Sequence, residues 1–396
     1  MKTFVPSGPA IPFEVLRAHE DGRLVFFCGA GISYYTGLPG FEGLVKDAFE
    51  KCGVPLAEMK KDAKEPWDTA FHENQFDRAL QILEKEVGTT VMRDKIMDRL
   101  TIPVTDPLII HGALLNLAKT KNGGCRLITT NFDDRFELAA PPGLTAIQSA
   151  PRLGPPRIES WRHLTYLHGR IDRKSDPKGR DLVLTSGDFG RAYLRDGWAA
   201  RFIVELFREY TVLFVGYSLN DPIVSYLIDA LAADMRHDGQ FRNAYVLANH
   251  PPTDSGRLNA EKDWRAKGVE PIPFIANKRW KDEFKLLNNT LIEWARLDGG
   301  GLGSRVASAI QVTSNPYVPG GLKEEIRNVA WALSKRDGSV AREFADFTPS
   351  PRIEWLTPLS EIELPSDELG TLPIQLFDLP SPRPRKDGIK GHHLVH

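Results

Sequence analysis

The sequence predicts an α/β protein built on a doubly wound parallel sheet. Short apolar runs of strand length alternate with amphipathic helical stretches along most of the chain. Several runs, such as residues 23–28 (RLVFFC) and 211–215 (TVLFV), are apolar on both faces, which is typical of parallel strands covered by helices. Because such sheets bind ligands at the carboxyl ends of their strands, the residues that follow each run are the first candidates for function.

Strands are predicted where a short apolar run is bounded by turn residues. In chain order they lie at residues 23–28, 126–129, 164–167, 181–184, 211–215, 244–247 and 271–274. Helices are predicted at residues 13–19, 41–51 and 281–296. Two more are predicted from apolar side chains that share one helical face: Phe202, Ile203, Leu206, Phe207 and Tyr210 in one, and Ile223, Val224, Leu227, Ile228 and Leu231 in the other.

Residues 67–118 carry few strand signals, and apolar side chains such as Phe76, Ala79, Leu80 and Leu83 fall at helical spacing. This pattern predicts a helical insertion over about residues 53–120, inside a domain that covers residues 1–298.

A glycine-rich stretch at residues 299–303 is typical of a linker and predicts a domain boundary. Residues 299–347 form a small helical segment in which Leu322, Ile326, Val329 and Leu333 share a face. Residues 348–396 are rich in proline, and we expect them to be extended or loop-like, either as a tail or as the start of a further domain.

The composition excludes several classes of protein. The chain has 51 Lys and Arg against 52 Asp and Glu, whereas general nucleic-acid binding needs a basic surface. Its three cysteines, Cys28, Cys52 and Cys125, cannot supply a four-cysteine zinc site, and their low number fits a reducing compartment. No run approaches the ~20 apolar residues of a membrane span, and the first residues lack the apolar core of a signal peptide. We therefore expect a cytoplasmic protein without zinc.

The first candidate site is the turn Gly29-Ala30-Gly31-Ile32-Ser33, which follows the strand at 23–28. Glycine permits a tight turn and a close approach to a pyrophosphate, and the next helix offers N–H groups to an anion. The acid about 20 residues on, Glu50, lies inside a predicted helix, so an ordinary dehydrogenase fits poorly. A plain turn explains these letters equally well.

Polar residues also follow the next strands. Asn131 and Asp133 come after the strand at 126–129, either as cleft residues or as caps of a helix. His168 and a glycine follow the strand at 164–167, where a neutral imidazole can act as a base or serve as a structural group.

The two remaining candidate positions lie later in the chain. Gly216 and Ser218 form a second glycine turn after 211–215, which is either a phosphate or ribose site or the start of a helix capped by Asn220 or Asp221. Asn249 follows the strand at 244–247.

In this order, the motifs GAGIS, TTNFD, LHG and VGYSL and the final asparagine-ended strand resemble those of the sirtuins. The resemblance covers about residues 20–295 and implies a Rossmann-type fold with an NAD pocket at the strand ends. It implies that Asn131 orients the nicotinamide ribose or the attacking water, Asp133 contacts the nicotinamide amide, and His168 acts on a ribose hydroxyl. It also implies the following contacts to NAD: Gly29, Ala30, Gly31 and Ser33 with the pyrophosphate, and Gly216, Ser218 and Asn249 with the adenosine half.

Departures from the sirtuin deacylases narrow the expected activity. Residues 170–184 contain no cysteine where deacylases carry a zinc ribbon, and residues 185–193 replace the peptide-pairing segment. The chain also reads Pro39-Gly40-Phe41-Glu42, where deacylases carry Pro-Asp-Phe-Arg.

The resemblance is strongest to the bacterial sirtuin-like NAD hydrolases of anti-phage defence. It implies a regulated NAD glycohydrolase, with a homo-oligomer, a regulatory protein or a fused sensor domain as possible partners. A non-catalytic sensor of NAD or ADP-ribose is the first alternative, and an ADP-ribosyltransferase or deacylase is the second.

Overall fold

The computed structural model describes residues 1–53, 61–143, 146–218, 243–276, 284–318, 323–334, 338–348 and 351–360. The chain divides into two compact units, one ending at Gly299 and the other beginning at Gly300. The predicted helix containing Ile223 and Leu231, and the positions Asn220 and Asp221, lie outside the described residues.

A parallel sheet organises the first unit. Its strands are β3 (Leu24–Cys28), β4 (Leu127–Thr129), β5 (Ala146–Ser149), β6 (His163–Tyr166), β7 (Thr211–Val215), β8 (Ala244–His250) and β9 (Glu270–Ile275). They lie side by side in the order β5-β6-β4-β3-β7-β8-β9, and every neighbouring pair is parallel. Two short strands, β1 (Lys2–Thr3) and β2 (Ala10–Ile11), form a separate small sheet. The predicted doubly wound α/β fold is confirmed.

Strand β3 lies at the centre of the sheet, and all of its residues are buried. From β3 the chain passes first to β4 on one side and later to β7 on the other. The direction of winding therefore reverses at β3, and a crevice is expected where strand order reverses.

Helices cover the sheet and build the predicted insertion. They are α1 (Phe13–Glu20), α2 (Phe41–Lys51), α3 (Lys61–His72), α4 (Phe76–Val87), α5 (Thr89–Leu100), α6 (Ile109–Leu117), α7 (Arg135–Ala139), α8 (Ser186–Phe189), α9 (Trp198–Glu209), α10 (Asp254–Ala266) and α11 (Lys285–Gly299).

No helix in the described part of the chain is long and apolar enough to cross a membrane.

Two apolar cores lie among the described residues of the first unit. One lies between the sheet and α9 and includes Phe27, Phe202 and Phe214. The other lies among α2, α4 and α5 and includes Leu80 and Met97. The apolar faces of the insertion helices are thus buried in a core that they share with α2, Phe132, Leu182 and Leu184.

The strand predicted at residues 181–184 is wrong. These residues are irregular, although Leu182, Val183 and Leu184 are buried. Their backbone groups do not pair with a neighbouring strand. The carbonyl of Leu182 accepts a hydrogen bond from Arg93, and the N–H of Leu184 donates to Asp188. The run has the composition of a strand, but its backbone does not form the hydrogen-bond ladder of one.

The second unit is more helical than its sequence suggested. Its described helices are α12 (Gly301–Thr313), α13 (Lys323–Leu333), α14 (Ser339–Ala345) and α15 (Leu356–Ser360). The division between the two units falls at the predicted glycine stretch, where α11 ends at Gly299 and α12 begins at Gly301. The expectation of an extended chain from residue 348 is wrong for residues 353–360, where Trp355 is buried and donates to the carbonyl of Asn315.

Candidate functional site

The five sequence motifs lie at the carboxyl ends of five neighbouring strands. His168 follows β6, Asn131 and Asp133 follow β4, and the turn from Gly29 follows β3. Gly216 follows β7 on the other side of β3, and β8 comes next. Because the strands are parallel, these residues share one edge of the sheet.

The glycine turn leads into 3₁₀ turns and not directly into an α-helix. Two 3₁₀ turns, at Ala30–Ile32 and Tyr34–Thr36, separate it from α2, which begins at Phe41. The N–H groups of Gly29 and Gly31 donate to the carbonyls of Val215 and Gly216 at 2.9 and 3.0 Å. These donors bind the neighbouring strand end in this conformation, so the structure gives the two glycines a packing role.

The two glycine turns pack against each other without space for side chains. A Cβ on Gly29 would lie 2.8 Å from the Gly216 carbonyl oxygen, and one on Gly31 would lie 2.9 Å from the Gly216 Cα. Gly216 itself has a φ of 76°, which favours glycine. All three glycines are thus required where β3 and β7 end.

A cleft opens beside the first turn. The described residues that line it are Ala30, Ser33, Leu38, Pro39, Gly40, Phe41, Leu44, Leu100, Thr130, Asn131, Phe132 and Asp133. Apolar walls with an amide, a carboxylate and a hydroxyl at one end suit an organic ligand that carries an amide or hydroxyl groups.

The Ser33 hydroxyl joins the polar groups of the cleft. It lies 3.3 Å from Nδ2 of Asn131 and 3.1 Å from Nε2 of His111, and it bonds Asp133. An amide nitrogen only donates and an ionised carboxylate only accepts. The hydroxyl therefore accepts from Asn131 and donates to Asp133, which leaves its second lone pair for the Nε2–H of His111.

Asp133 is a buried carboxyl at the floor of this cleft. Burial raises its pKa above the ordinary value, whereas hydrogen bonds from the Arg135 N–H and the Ser33 hydroxyl and the charge of Arg135 lower it. The Asp133 Oδ1 accepts from the Arg135 N–H at 3.0 Å. The N-cap of α7 is Asp134, so Asp133 satisfies the first N–H group of the helix from one residue further back and also lines the cleft.

Sequence reasoning missed His111, which lies on α6. Its ring is buried, with Nε2 beside Ser33 and Nδ1 3.4 Å from the Tyr35 hydroxyl. Burial and the nearby charge of Arg135 lower the pKa of His111 to about 3, so the ring is neutral. A histidine within an apolar helical run gives no local sign of a site, because only the tertiary fold brings it to Ser33.

His168 lies at the end of β6, apart from the polar group around Ser33. It is fully buried and is absent from the described lining of the cleft. Its Nε2 lies 2.8 Å from the Tyr193 hydroxyl, and burial lowers its pKa to about 3. Gly169 follows with a φ of 89° and packs on the backbone of Asp181, which explains the glycine of the LHG motif.

The remaining predicted residues occupy more open positions. Ser218 is exposed directly after the second glycine turn. Asn249 is also exposed, and it lies within β8, which continues to His250 instead of ending at Leu247. Glu42 bonds Lys46 at 2.7 Å on the exposed side of α2, so the residue that replaces the deacylase arginine does not line the cleft.

One family model and several known proteins are similar in sequence to this chain. Residues 126–272 match the family model of the SIR2-like domain. The chain is 30% identical over 340 residues to the uncharacterized protein y4cA of Sinorhizobium fredii, covering 83% of this chain and 27% of that protein. It is 22% identical over 250 residues to the Defense-associated sirtuin 2 of Bacillus subtilis, covering 62% of this chain and 23% of that protein.

A third relative is the NAD(+) hydrolase ThsA of Cytobacillus dafuensis, 23% identical over 257 residues, which cover 61% of this chain and 46% of that protein. The chain thus spans about a quarter of the length of the first two relatives and under half of the third. The segment that matches the family model begins just before β4 and ends within β9, so it contains Asn131, Asp133 and His168.

Proposed function

We propose that this chain, a sirtuin-like protein, hydrolyses NAD to nicotinamide and ADP-ribose. One observation carries the proposal: Ser33, Asn131 and Asp133 line a single cleft at the point where the winding of the sheet reverses. An amide, a carboxylate and a hydroxyl held by each other can bind a nicotinamide amide and a ribose without rearrangement.

The reaction needs few groups. The bond between C1′ of the ribose and the nicotinamide nitrogen breaks, and its electron pair goes to the nicotinamide. Water adds to C1′ and loses a proton, so that NAD and water become nicotinamide, ADP-ribose and a proton. The protein has to stabilise the cationic ribose, hold the leaving group and place the water.

We assign these tasks to three residues. Asn131 orients the water or the ribose, Asp133 binds the nicotinamide amide, and His168 polarises a ribose hydroxyl. A positioned acid or base contributes about 10²–10⁴ in rate. We propose that Ala30 and Ser33, which line the cleft, contact the pyrophosphate, and that Gly216, Ser218 and Asn249 contact the adenosine half.

The relatives support this proposal and suggest its setting. One is named as an NAD(+) hydrolase and another as a defence-associated sirtuin. By analogy we propose a role in anti-phage defence, where NAD loss is harmful and activity is held back until a trigger acts. A self-associating assembly, a regulatory protein or a fused sensor domain would supply that control.

A sensor that binds NAD or ADP-ribose without cleaving it is the second candidate. It is favoured by the burial of His168, whose bonded nitrogen faces Tyr193. In a sensor the neutral ring would serve only as a packing and hydrogen-bonding group.

Incubation of the full chain with NAD separates the two candidates. A hydrolase releases nicotinamide and ADP-ribose in equal amounts, and the release falls in Asn131→Ala and His168→Ala. A sensor raises its melting temperature with NAD or ADP-ribose and releases neither product. Equal release in both variants and the unchanged chain would refute the assigned roles.

A further inference from the structure

The segment that follows His168 is not explained by the proposed chemistry alone. A capping box at Thr185 and Asp188 starts α8, and a π-helical turn, Gly190–Arg195, follows directly. This turn places Tyr193 against His168. Both side chains are buried, at 7% and 0% exposure, so the contact is shielded from water.

The two ring nitrogens of His168 have different surroundings. Nε2 lies 2.8 Å from the Tyr193 hydroxyl, whereas Nδ1 is buried and has no hydrogen-bond partner within the described structure. Buried polar atoms are nearly always paired, and an unpaired one has to be explained. A ligand group that reaches Nδ1 would satisfy it.

The neutral ring allows only one arrangement that makes Nδ1 a base. A neutral imidazole carries its proton on one nitrogen and a lone pair on the other. Burial keeps the pKa of His168 near 3, so the ring stays neutral at physiological pH. A lone pair on Nδ1 requires the proton on Nε2, and the Tyr193 oxygen is then the acceptor.

We propose that Tyr193 is a positioning residue that accepts the Nε2–H of His168 and so keeps the Nδ1 lone pair for a hydroxyl of the bound ligand. This inference rests on the proposed function, in which that hydroxyl belongs to a ribose of NAD. The group that bonds one ring nitrogen of a histidine fixes the tautomer and orientation of the ring, and so commonly determines the reactivity of the other nitrogen.

Buried charges hold the segment that carries Tyr193. Arg93 of α5 donates to Asp188 at 2.6 Å and to the carbonyls of Gly179 and Leu182 at 2.6 and 3.0 Å. Asp188 also accepts from the N–H groups of Leu184 and Thr185. Phe189, between Asp188 and Tyr193, packs edge-on against the His168 ring at 5.3 Å. The position of the His168 ring therefore depends on the insertion, through Arg93 and Asp188, as well as on strand β6 of the sheet.

The test compares Tyr193→Phe with Tyr210→Phe. Both tyrosines belong to the same buried core, but the Tyr210 hydroxyl has no hydrogen-bond partner within the described structure. Selective ¹⁵N labelling of histidine reports which ring nitrogen of His168 carries the proton, and His168→Gln identifies its signals. The second measurement is steady-state hydrolysis of NAD, with folding checked by thermal melting.

We expect the unchanged chain and Tyr210→Phe to show His168 protonated at Nε2 alone. In Tyr193→Phe the two nitrogen signals should approach each other as the tautomers mix. The kcat should fall about 10-fold with KM within about twofold, as expected for loss of one hydrogen bond that acts in the transition state.

Several results would overturn the proposal. A proton on Nδ1 in the unchanged chain would do so even if Tyr193→Phe failed to fold. An unaltered ¹⁵N pattern and kcat in a folded Tyr193→Phe would also overturn it. If the chain releases no nicotinamide but Tyr193→Phe still mixes the tautomers, the hydrolase proposal fails while the positioning by Tyr193 stands.

Discussion

The Ser33 hydroxyl lies 3.1 Å from Nε2 of His111, so a residue of the glycine turn is bonded to a residue of the helical insertion. The same hydroxyl bonds Asn131 and Asp133. One serine therefore joins the insertion to the polar end of the cleft, and its removal is the first prediction.

Ser33→Ala should lower nicotinamide release about 10-fold or more, because Asn131 and Asp133 lose their common partner. A buried polar group left without a partner costs about 1–3 kcal/mol, so the free energy of unfolding should fall by about that amount. Urea unfolding and a rate assay measure the two effects. The control is Ser149→Ala, whose hydroxyl makes only a 3.5 Å contact. Equal effects of the two substitutions would contradict the role given to Ser33.

Gly31→Ala should destabilise the chain, because the new methyl group would lie 2.9 Å from the Gly216 backbone. Overpacking of this kind costs about 1–3 kcal/mol, and here backbone has to move. Gly112→Ala is the matched control, since a Cβ there meets nothing within 4 Å and lies in α6. It should be neutral or slightly stabilising. The account of the paired glycine turns fails if both variants melt at the same temperature.

Arg93→Met should lower the free energy of unfolding by about 3–5 kcal/mol, because it removes the buried cation that pairs with Asp188 and Glu84 and leaves Asp188 only the exposed Arg191. Chemical denaturation measures the loss. Arg195→Met removes an exposed ion pair with Asp196, and its unfolding midpoint should stay unchanged. A small effect of Arg93→Met would show that the contact between the insertion and residues 179–191 does not depend on Arg93.

Stability should fall as the pH is lowered from 8 to 5, through the two buried histidines. Burial lowers the pKa of His111 and His168 to about 3. The unfolded chain takes up these protons below about pH 6.5 and the folded chain does not, so each ring costs about 1.4 kcal/mol per pH unit well below 6.5. Asp133, whose pKa is raised, acts in the opposite direction.

Urea midpoints measured at several pH values test this slope. His168→Gln should flatten it, whereas His72→Gln, which alters an exposed residue of α3, should leave it unchanged. A slope that persists in full in His168→Gln would mean that the ring is protonated within the folded chain.

Much of the sheet was predictable because its strands are buried on both faces. The runs before Gly29, Asn131, His168 and Gly216 all became strands, and the polar residues after them share one edge. Strand β5 was missed because it is short and lies at the edge of the sheet, where Ala146 and Ile147 are exposed.

The partners of the predicted residues were not predictable. Tyr193 and His111 are 25 and 78 residues from His168 and Ser33 along the chain, and neither stands in a local pattern that indicates a site. Tertiary packing brings both residues to their partners. His111 is positioned by α6, and Tyr193 by the π-helical turn that follows Asp188, the partner of Arg93. The apolar run at 181–184 is not a strand because Arg93, Asp188 and the His168 carbonyl bond its backbone.

The most direct test of the central claim is the initial rate of nicotinamide release from NAD by the full chain and by Asn131→Ala. Asn289→Ala, at an exposed position of α11, is the control. We expect release by the unchanged chain and by the control, and a fall of about 100-fold or more in Asn131→Ala, as for loss of a group that orients the reacting atoms. Equal rates in Asn131→Ala and the control would contradict the proposed site, and binding of NAD without any release would contradict the proposed reaction.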